Sequence, residues 1–265
     1  MAGTGVHTER QLTAQLARLG VEPGGLLLVH SSLRAVGPVA GGAQAVLRAV
    51  RGALGPGGTV VVPTFTAGNS DTSSAYRERV CGLGEAERAA VRAAMPPYDP
   101  DTMPSDGVGI LPEIVRTRPG AVRSAHPQTS FAALGPHAER VVSGHRPDCH
   151  LGEESPLARL YDLGARILLL GTAFAGCTAF HLGEYRVAWP PRRTYRCVVL
   201  DGGVRRWWQY EDVALDDGDF DALGADLERD GAASVRTGVV GSARCRLLDL
   251  AQAVDFARGW FERNR

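Results

Sequence analysis

A chain of 265 residues, 44% hydrophobic and 22% charged, is long enough to bury a sizeable core in one large domain or two small ones. Its formal net charge is zero, which supports neither a nucleic acid nor an anionic membrane as partner. All 29 basic residues are arginine, which excludes a Schiff-base or P-loop lysine. The five cysteines never form a CxxC pair, and the N-terminus lacks an apolar signal segment, so we expect a reducing cytoplasm. No apolar run approaches the ~18 residues that span a membrane.

The first part of the chain predicts alternating helices and strands. Residues 8–19 predict a capped helix, and the apolar run at 26–30 predicts a buried strand. Residues 43–54 have helical spacing, and the β-branched run at 59–65 predicts a second strand. This order is typical of a βαβ unit, in which a helix connects two parallel strands.

A long excursion follows at residues 66–108, which are polar and rich in proline, with one short helix predicted near 85–94. Loops of this length are usually functional lids or binding segments, or else disordered. Beyond it, helices are predicted at 109–120, 154–163, 177–187, 219–229 and 249–263, and strands at 129–135 and 166–172. Residues 194–210 predict a β-hairpin that turns at 201–203. The pattern therefore predicts one α/β domain over residues 1–265, with a β-hairpin accessory.

The stretch HSSLRAVGPVAGG at residues 30–42 directly follows a predicted strand. Its serines offer hydroxyl groups, its glycines allow a ligand to approach the backbone, and a helix N-terminus follows. These features suit a phosphate or pyrophosphate, but the stretch matches neither a Walker loop nor GxGxxG. An ordinary glycine-rich turn before a helix is the alternative.

The run AFHLGEY places His181 three residues before Glu184, so the two share one face if the segment is helical. A carboxylate beside an imidazole fixes its tautomer and stabilises the imidazolium, as a general base requires. A structural histidine on a half-buried helix has the same spacing. Spacing alone favours that simpler interpretation.

Three other stretches carry groups that could bind ligands. RSAHPQTSF contains Arg123, Ser124 and His126, which could position an anion or form a turn. HRPDCH, at 145–150, holds potential zinc ligands, but adjacent Cys and His do not easily ligate one ion, so we expect no metal. Acidic and amide groups that could bind a cationic substrate, or form a solvated face, are Asn69, Asp71, Glu211, Asp212, Asp216, Asp217 and Asp219.

Taken together, these stretches resemble the aminoglycoside 3-N-acetyltransferases over about residues 8–260. The segments that carry the resemblance are HSSLRAVGPVAGG, VVPTFTAGNSD, MPSDGVGILPEIVRTRPGAVRSAHPQTSFAALG, GEESPLARLYDLGARILLLGTAF and CTAFHLGEYR. The resemblance implies a three-layer α/β/α domain with a mixed sheet and acetyl-CoA as co-substrate. The implied acceptor is the 3-amino group of a 2-deoxystreptamine antibiotic. Small molecules, rather than nucleic acid or membrane, are then the expected partners, and a homodimer is left open.

The resemblance also implies roles for individual residues. His181 would be the catalytic base, Glu184 its orienting partner, and Asn69 and Asp71 would contact the cationic antibiotic. The role of His126 is left open. The residues placed at the cofactor are His30, Ser31, Ser32, Leu33, Arg34, Val36, Gly37, Pro38, Val39, Gly41, Gly42, Arg123 and Ser124.

The implied chemistry is direct transfer in a ternary complex, where a base removes a proton from the attacking amine. Backbone N–H groups of residues 31–33, or a serine hydroxyl, could stabilise the thioester oxyanion. Gly183 and the residues before His181 depart from the family pattern, which puts the acceptor range in doubt. An N-acetyltransferase for another amine, such as a natural-product intermediate, and a non-catalytic CoA-binding module are the alternatives.

Overall fold

A seven-stranded mixed sheet forms the centre of the computed structural model, which describes residues 5–231 and 234–265. The strands are β1 Leu26–Ser31, β2 Thr59–Pro63, β3 Val122–Arg123, β4 Phe131–Leu134, β5 Arg166–Leu170, β6 Arg192–Asp201, β7 Val204–Val213, β8 Arg236–Val240 and β9 Ala243–Asp249. The order in the sheet is β3-β4-β2-β1-β5-β9-β8. β1 is parallel to both β2 and β5, and the outer strands pair in antiparallel fashion. The predicted parallel pair is confirmed.

The described helices lie between these strands and after the last one. They are α1 Glu9–Leu19, α2 Leu33–Val36, α3 Gly42–Leu54, α4 Ser74–Arg79, α5 Glu85–Ala93, α6 Ile110–Arg116, α7 Ala138–Val142, α8 Pro156–Asp162, α9 Phe180–Tyr185, α10 Phe220–Asp230 and α11 Leu250–Asn264. The predicted capping of α1 is confirmed: Thr8 and Gln11 form a capping box at its start, and Gly20, with a φ of 109°, ends it. No helix within the described residues is long and apolar enough to span a bilayer.

Alternating side chains of the central strands build two separate hydrophobic cores. Leu26 and Leu28 of β1 point into a core formed with α7 to α11. Leu27 and Val29 point into the opposite core, formed with α1, α3 and α6. Because successive side chains of a strand point to opposite faces, a sheet of wholly apolar strands needs a helical layer on each side. The predicted three-layer α/β/α architecture with a mixed sheet is therefore confirmed.

The accessory hairpin consists of β6 and β7, which pair over ten residues each and turn at Gly202 and Gly203 as predicted. The excursion at 66–108 is ordered and packs against this hairpin. Tyr76, Val80 and Met95 form a small core with Val198 of β6. Short bridges also join Ser70 to Cys197 and Tyr98 to Val199. The end of the excursion, at residues 107–110, lines a cavity at the ends of the parallel strands.

The sequence prediction omitted β8 and β9, which extend the sheet beyond β5. β8 is an edge strand whose side chains are mostly exposed, so its hydrophobic pattern is weak. The helix predicted at 177–187 is shorter, since only Phe180–Tyr185 is α-helical. This short helix nevertheless places His181 and Glu184 on one face.

Candidate active site

A cavity of about 710 Å³ opens where the parallel strands β1, β2 and β5 end. It is lined by the segment 30–34 at the end of β1, by Pro63 and Phe65 at the end of β2, and by Thr172 after β5. The excursion contributes residues 107–110, and α9 contributes His181. Ligands of open α/β sheets bind at the carboxyl ends of parallel strands. The position of this cavity is therefore that of a typical α/β substrate site.

His181 and Glu184 form a hydrogen-bonded pair at this cavity. Nδ1 of His181 lies 2.6 Å from Oε2 of Glu184, and Glu184 is only 3% exposed. Since the carboxylate accepts from Nδ1–H, the neutral imidazole keeps a lone pair on Nε2. The ring of Phe220 packs against the imidazole, with ring centres 4.7 Å apart. The shared helical face predicted from the i, i+3 spacing is confirmed, and His181 lies at the wall of a cavity.

His30, the last but one residue of β1, is a second imidazole at this cavity. It is 6% exposed, and burial lowers its pKa to about 4, because the charged form loses its hydration. The hydroxyl group of Thr178 lies 3.3 Å from its Nε2. His30 is therefore neutral at neutral pH and a weak base. Of the two imidazoles, the one with a carboxylate partner is His181.

The residues after His30 supply polar groups to the same cavity. Ser31, Ser32 and Leu33 line it, together with Arg34, whose side chain is exposed. The backbone N–H of Ser32 donates to the carbonyl of Leu170 at 2.9 Å, so it is already engaged. Ser32 precedes α2, but its side chain makes no capping hydrogen bond. The serine hydroxyls are thus better placed than the Ser32 amide to serve a ligand.

The second half of the glycine-rich stretch lies outside the described lining of this cavity. Val36 is fully buried, and the carbonyl of Pro38 accepts from the backbone N–H of His7 at 2.8 Å. Val39 forms a parallel bridge with His7, and Gly37 lies against Ser242. Gly41, with a φ of 80°, and Gly42 start α3. These residues anchor the N-terminal segment to the sheet, so their contact with a cofactor stays a prediction.

Arg123 and Ser124 line a different cavity, next to α7. The guanidinium group of Arg123 donates to the carbonyl of Thr64 at 2.7 Å and to the hydroxyl of Ser130 at 3.0 Å. Ser124 is 1% exposed, and its hydroxyl lies 2.9 Å from Nδ1 of His145. Arg123 lies on β3 and Ser124 directly follows it, so both side chains belong to the edge of the sheet. The structure does not bring them to the cavity of His181.

Asn69 and Asp71 also lie away from that cavity's described lining. Asn69 is fully buried, and its Nδ2 donates to the carbonyl of Pro127 at 2.9 Å. Asp71 forms an ion pair with Arg196 of the hairpin, with an N–O distance of 3.2 Å. The ion pair of Asp71 attaches the excursion to β6, and the hydrogen bond of Asn69 attaches it to the segment before β4. Contact of Asn69 and Asp71 with an acceptor therefore stays a prediction.

His126, His145 and His150 form a buried cluster that the sequence did not predict. The ring centre of His126 lies 4.8 Å from that of His145 and 4.6 Å from that of His150. Burial lowers the pKa of His145 to about 4, and that of His126 and His150 well below the usual value. Neutral imidazoles stack without charge repulsion. Within the described residues, no group of three or more histidine, cysteine or acidic side chains could hold a metal ion.

The acidic residues near the end of the chain divide into different environments. Asp217 is exposed and lines the cavity beside His181. Asp212 is buried and accepts from the backbone N–H of His150 at 2.7 Å and from the hydroxyl of Tyr185 at 2.5 Å. Burial raises the pKa of Asp212. The sequence grouped these residues by composition, and only the fold distinguishes Asp217 as the carboxylate at the cavity.

Cavity size alone does not identify the site. A cavity of about 750 Å³ lies along the hairpin, with Tyr98, Trp207 and Trp208 in its wall. None of its described lining residues is a histidine. The smaller cavity is the one that combines a base, a carboxylate partner, hydroxyl groups and an exposed acid.

The aminoglycoside 3-N-acetyltransferase family model matches residues 28–262, which include every group of this cavity. The chain belongs to the aminoglycoside 3-N-acetyltransferase family. An aminoglycoside N(3')-acetyltransferase-like protein, YokD of Bacillus subtilis, is 36% identical over 97% of this chain and 93% of its own length. Aminoglycoside N(3)-acetyltransferase VII of Streptomyces paromomycinus is also 36% identical, over 97% of this chain and 92% of its own length.

Solved structures of this acetyltransferase family share the fold. The crystal structure of YokD has a TM-score of 0.91 at 35% identity, over 98% of this chain and 95% of that one. The acetyltransferase AAC-IIIb, solved as a binary complex with CoASH, has a TM-score of 0.84 at 30% identity, over 98% and 97%. AAC-VIa, solved with bound sisomicin, has a TM-score of 0.82 at 32% identity, over 98% and 99%.

Proposed function

We propose that this acetyltransferase moves the acetyl group of acetyl-CoA to the 3-amino group of a 2-deoxystreptamine aminoglycoside, with His181 as base and Glu184 as its partner. The single observation that carries these assignments is the 2.6 Å contact between His181 Nδ1 and Glu184 Oε2 at the wall of the cavity. The family membership of the chain agrees with this reaction and this co-substrate.

The cavity has the chemistry that acetyl-CoA requires. Phe65, Val108 and Ile110 offer an apolar wall for the pantetheine arm, while Ser31 and Ser32 offer hydroxyl groups. The cation of Arg34 suits the phosphate groups of CoA, because a guanidinium donates two parallel hydrogen bonds to phosphate. A volume of about 710 Å³ is within the usual range for small-molecule sites. The relative AAC-IIIb, solved with CoASH, supports this assignment.

His181 supplies the proton transfer. An ammonium group has no lone pair for attack, so the acceptor must lose a proton before or during the reaction. Glu184 fixes Nδ1–H, which directs the lone pair of Nε2 away from the carboxylate, and it stabilises the imidazolium that forms. Bound acetyl-CoA supplies the thioester that the amine attacks. His30 cannot replace His181 as base, since burial keeps its pKa at about 4.

Asp217 attracts the cationic acceptor. Its exposed carboxylate lies in the wall of the same cavity as His181, so an ammonium group that contacts it is near the base. The relative AAC-VIa, solved with sisomicin, supports an aminoglycoside as acceptor. Acetylation removes one positive charge, which weakens the attraction to Asp217 and favours product release.

The same loss of charge gives the biological consequence. Phosphate attraction dominates the affinity of cations for nucleic acids, so an acetylated aminoglycoside binds anionic ribosomal RNA more weakly. Resistance to the antibiotic follows. The five cysteines are free thiols, which supports action in a reducing compartment such as the cytoplasm.

A thiol-release assay tests the proposed function. The protein is given acetyl-CoA and a panel of 2-deoxystreptamine aminoglycosides, and NMR of the product locates the acetyl group. We expect CoA release that depends on the aminoglycoside, and a product acetylated at the 3-amino group. An aminoglycoside already acetylated at that amine serves as the control and should release no CoA. Release with other amines only, or cofactor binding without turnover, would contradict the proposal.

A further inference from the structure

Glu184 binds more than His181, because both of its carboxylate oxygens have partners. Oε2 accepts from His181, while Oε1 accepts from the backbone N–H of Asp216 at 3.1 Å and from Nη1 of Arg265. The side chain of Glu184 is only 3% exposed. A buried carboxylate that loses its cation either becomes protonated or reorients toward water. The cation of Arg265 is therefore a candidate for the group that keeps Glu184 ionised and fixes its orientation.

Arg265 follows the last helix, α11, and its guanidinium group connects three parts of the chain. It donates from Nε to Asp219 Oδ2 at 2.8 Å, and from Nη2 to Asp219 Oδ1 at 2.5 Å. Nη2 also donates to the carbonyl of Asp216 at 2.6 Å. The guanidinium lies 4.1 Å from the ring centre of Phe261, which restricts it further. Its third hydrogen-bond partner is Glu184. The Arg265 side chain thus joins α11 and the loop before α10 to the His181–Glu184 pair on α9.

The backbone brings Arg265 to this position through close packing of α9 on α11. A Cβ atom at Gly183 would lie 2.9 Å from Cβ of Ala257 and 3.0 Å from the backbone nitrogen of Arg258. Gly183, which lies between His181 and Glu184 in the chain, thus allows α11 to approach α9 closely. Arg265 therefore reaches Glu184 from the end of α11, with its own side chain 27% exposed and that of Glu184 buried.

We propose that Arg265 is a positioning residue of the reaction, which holds the Glu184 carboxylate ionised and aimed at His181 Nδ1. This inference rests on the proposed function of the His181–Glu184 pair. Arg265 itself faces Glu184 and the 216–219 loop, and it is absent from the cavity lining that contains His181 and Asp217. It acts through Glu184 and through the loop that carries Asp217.

The kinetic test replaces the cation while it keeps much of the side-chain volume. Arg265→Met should lower kcat by about 10- to 100-fold, the scale seen when a residue that orients a functional group is removed. The KM for acetyl-CoA should stay within about twofold, because no Arg265 contact reaches the 30–34 segment. Arg265→Lys should recover part of the rate, since it restores the charge without the planar fork. Arg263→Met, in the last turn of α11, is the matched control and should keep full activity.

A pH profile separates an electrostatic role from a purely structural one. Charged and titratable groups face the pair from several elements: Arg265 after α11, Asp216, Asp217 and Asp219 in the loop before α10, His30 on β1 and His150. Without Arg265, the buried Glu184 carboxylate becomes protonated or turns away, so the imidazolium form of His181 loses its partner. The acid limb of the kcat/KM profile should then move to lower pH in Arg265→Met, and stay in place in Arg263→Met.

A spectroscopic measurement tests the inference even if the protein acetylates no aminoglycoside. The short His181–Glu184 hydrogen bond should give a downfield imidazole N–H resonance, assigned by its loss in His181→Ala. In Arg265→Met this resonance should move upfield or broaden, while Arg263→Met should leave it unchanged. An unchanged resonance, or an unchanged pH profile with an unchanged kcat, would overturn the positioning role. Absence of turnover in the unmodified protein would instead contradict the proposed function.

Discussion

Gly183 and Ala257 are in such close contact that a methyl group on Gly183 would lie 2.9 Å from the Cβ of Ala257. Glycine at this position therefore has a reason in packing, although the residue lies inside a helix, where it costs roughly 0.5–1 kcal/mol relative to alanine. The sequence suggested that Gly183 bears on the acceptor. In the fold, Gly183 faces α11 and sets how closely that helix approaches the His181–Glu184 pair.

Gly183→Ala should destabilise the protein by about 1–3 kcal/mol, because overpacking outweighs the gain in helix propensity. Gly52→Ala is the matched control, since Gly52 lies within α3 and its Cβ would meet only the side chain of Thr13, at 3.3–3.4 Å. That variant should be neutral or slightly more stable. Urea unfolding of both variants measures the difference, and equal effects would contradict the packing argument.

His30→Gln should make the stability of the protein less dependent on pH. The pKa of His30 is lowered to about 4 in the folded chain, against 6.5 for the unfolded one. The unfolded state therefore binds this proton first as the pH falls, and the stability from His30 is complete above pH 6.5 and lost between pH 6.5 and about 4. The free energy of unfolding falls by about 3 kcal/mol over this range because of His30 alone.

The measurement for His30 is the slope of the free energy of unfolding against pH. His30→Gln changes packing as well, so the slope, rather than the absolute stability, is the decisive quantity. Between pH 6.5 and 4 the free energy of unfolding should fall less steeply with pH in the variant than in the unmodified protein, by a slope that corresponds to about one proton. An identical slope for His30→Gln would show that His30 is not the buried neutral group that we describe.

Asp217→Asn should raise the KM for the aminoglycoside by about tenfold, with a much smaller effect on the KM for acetyl-CoA. The reason is that the variant keeps the size of the side chain but removes the negative charge at the cavity wall, a loss worth about 1.4 kcal/mol for each tenfold. Asp201→Asn, at the exposed end of the hairpin, should leave both constants unchanged. Steady-state kinetics should also include Asp71→Asn. If only the Asp71 variant raised the aminoglycoside KM, Asp71 would be the acceptor's partner and our assignment of Asp217 would be wrong.

Local patterns predicted much of this fold. The apolar runs of β1, β2 and β5 and the capped helix α1 carry strong periodic signals, and all of them are present. β8 was missed because its exposed side chains give little hydrophobic contrast. The pairing of His181 with Glu184 could be predicted because it depends only on the geometry of one helical turn.

The rest of the site depends on contacts between distant parts of the chain. Arg265 lies 81 residues from Glu184, and no local pattern links them. Asp217 resembles its acidic neighbours in sequence, and the loop before α10 alone places it at the cavity. Arg123 and Ser124 occur in a segment that resembles the family, yet their strand pairing at the sheet edge turns them toward Thr64 and His145. Sequence spacing could not distinguish these outcomes.

The most direct test of the account is the turnover of His181→Ala with acetyl-CoA and an aminoglycoside that the unmodified protein acetylates. We expect kcat to fall by roughly 10²-fold or more, the scale of general acid–base catalysis, while the affinity for CoA by calorimetry is kept. His137, at the start of α7, is not among the residues that line the cavity, so His137→Ala should retain full activity as the control. Full turnover in His181→Ala would contradict the assignment of His181 as the base.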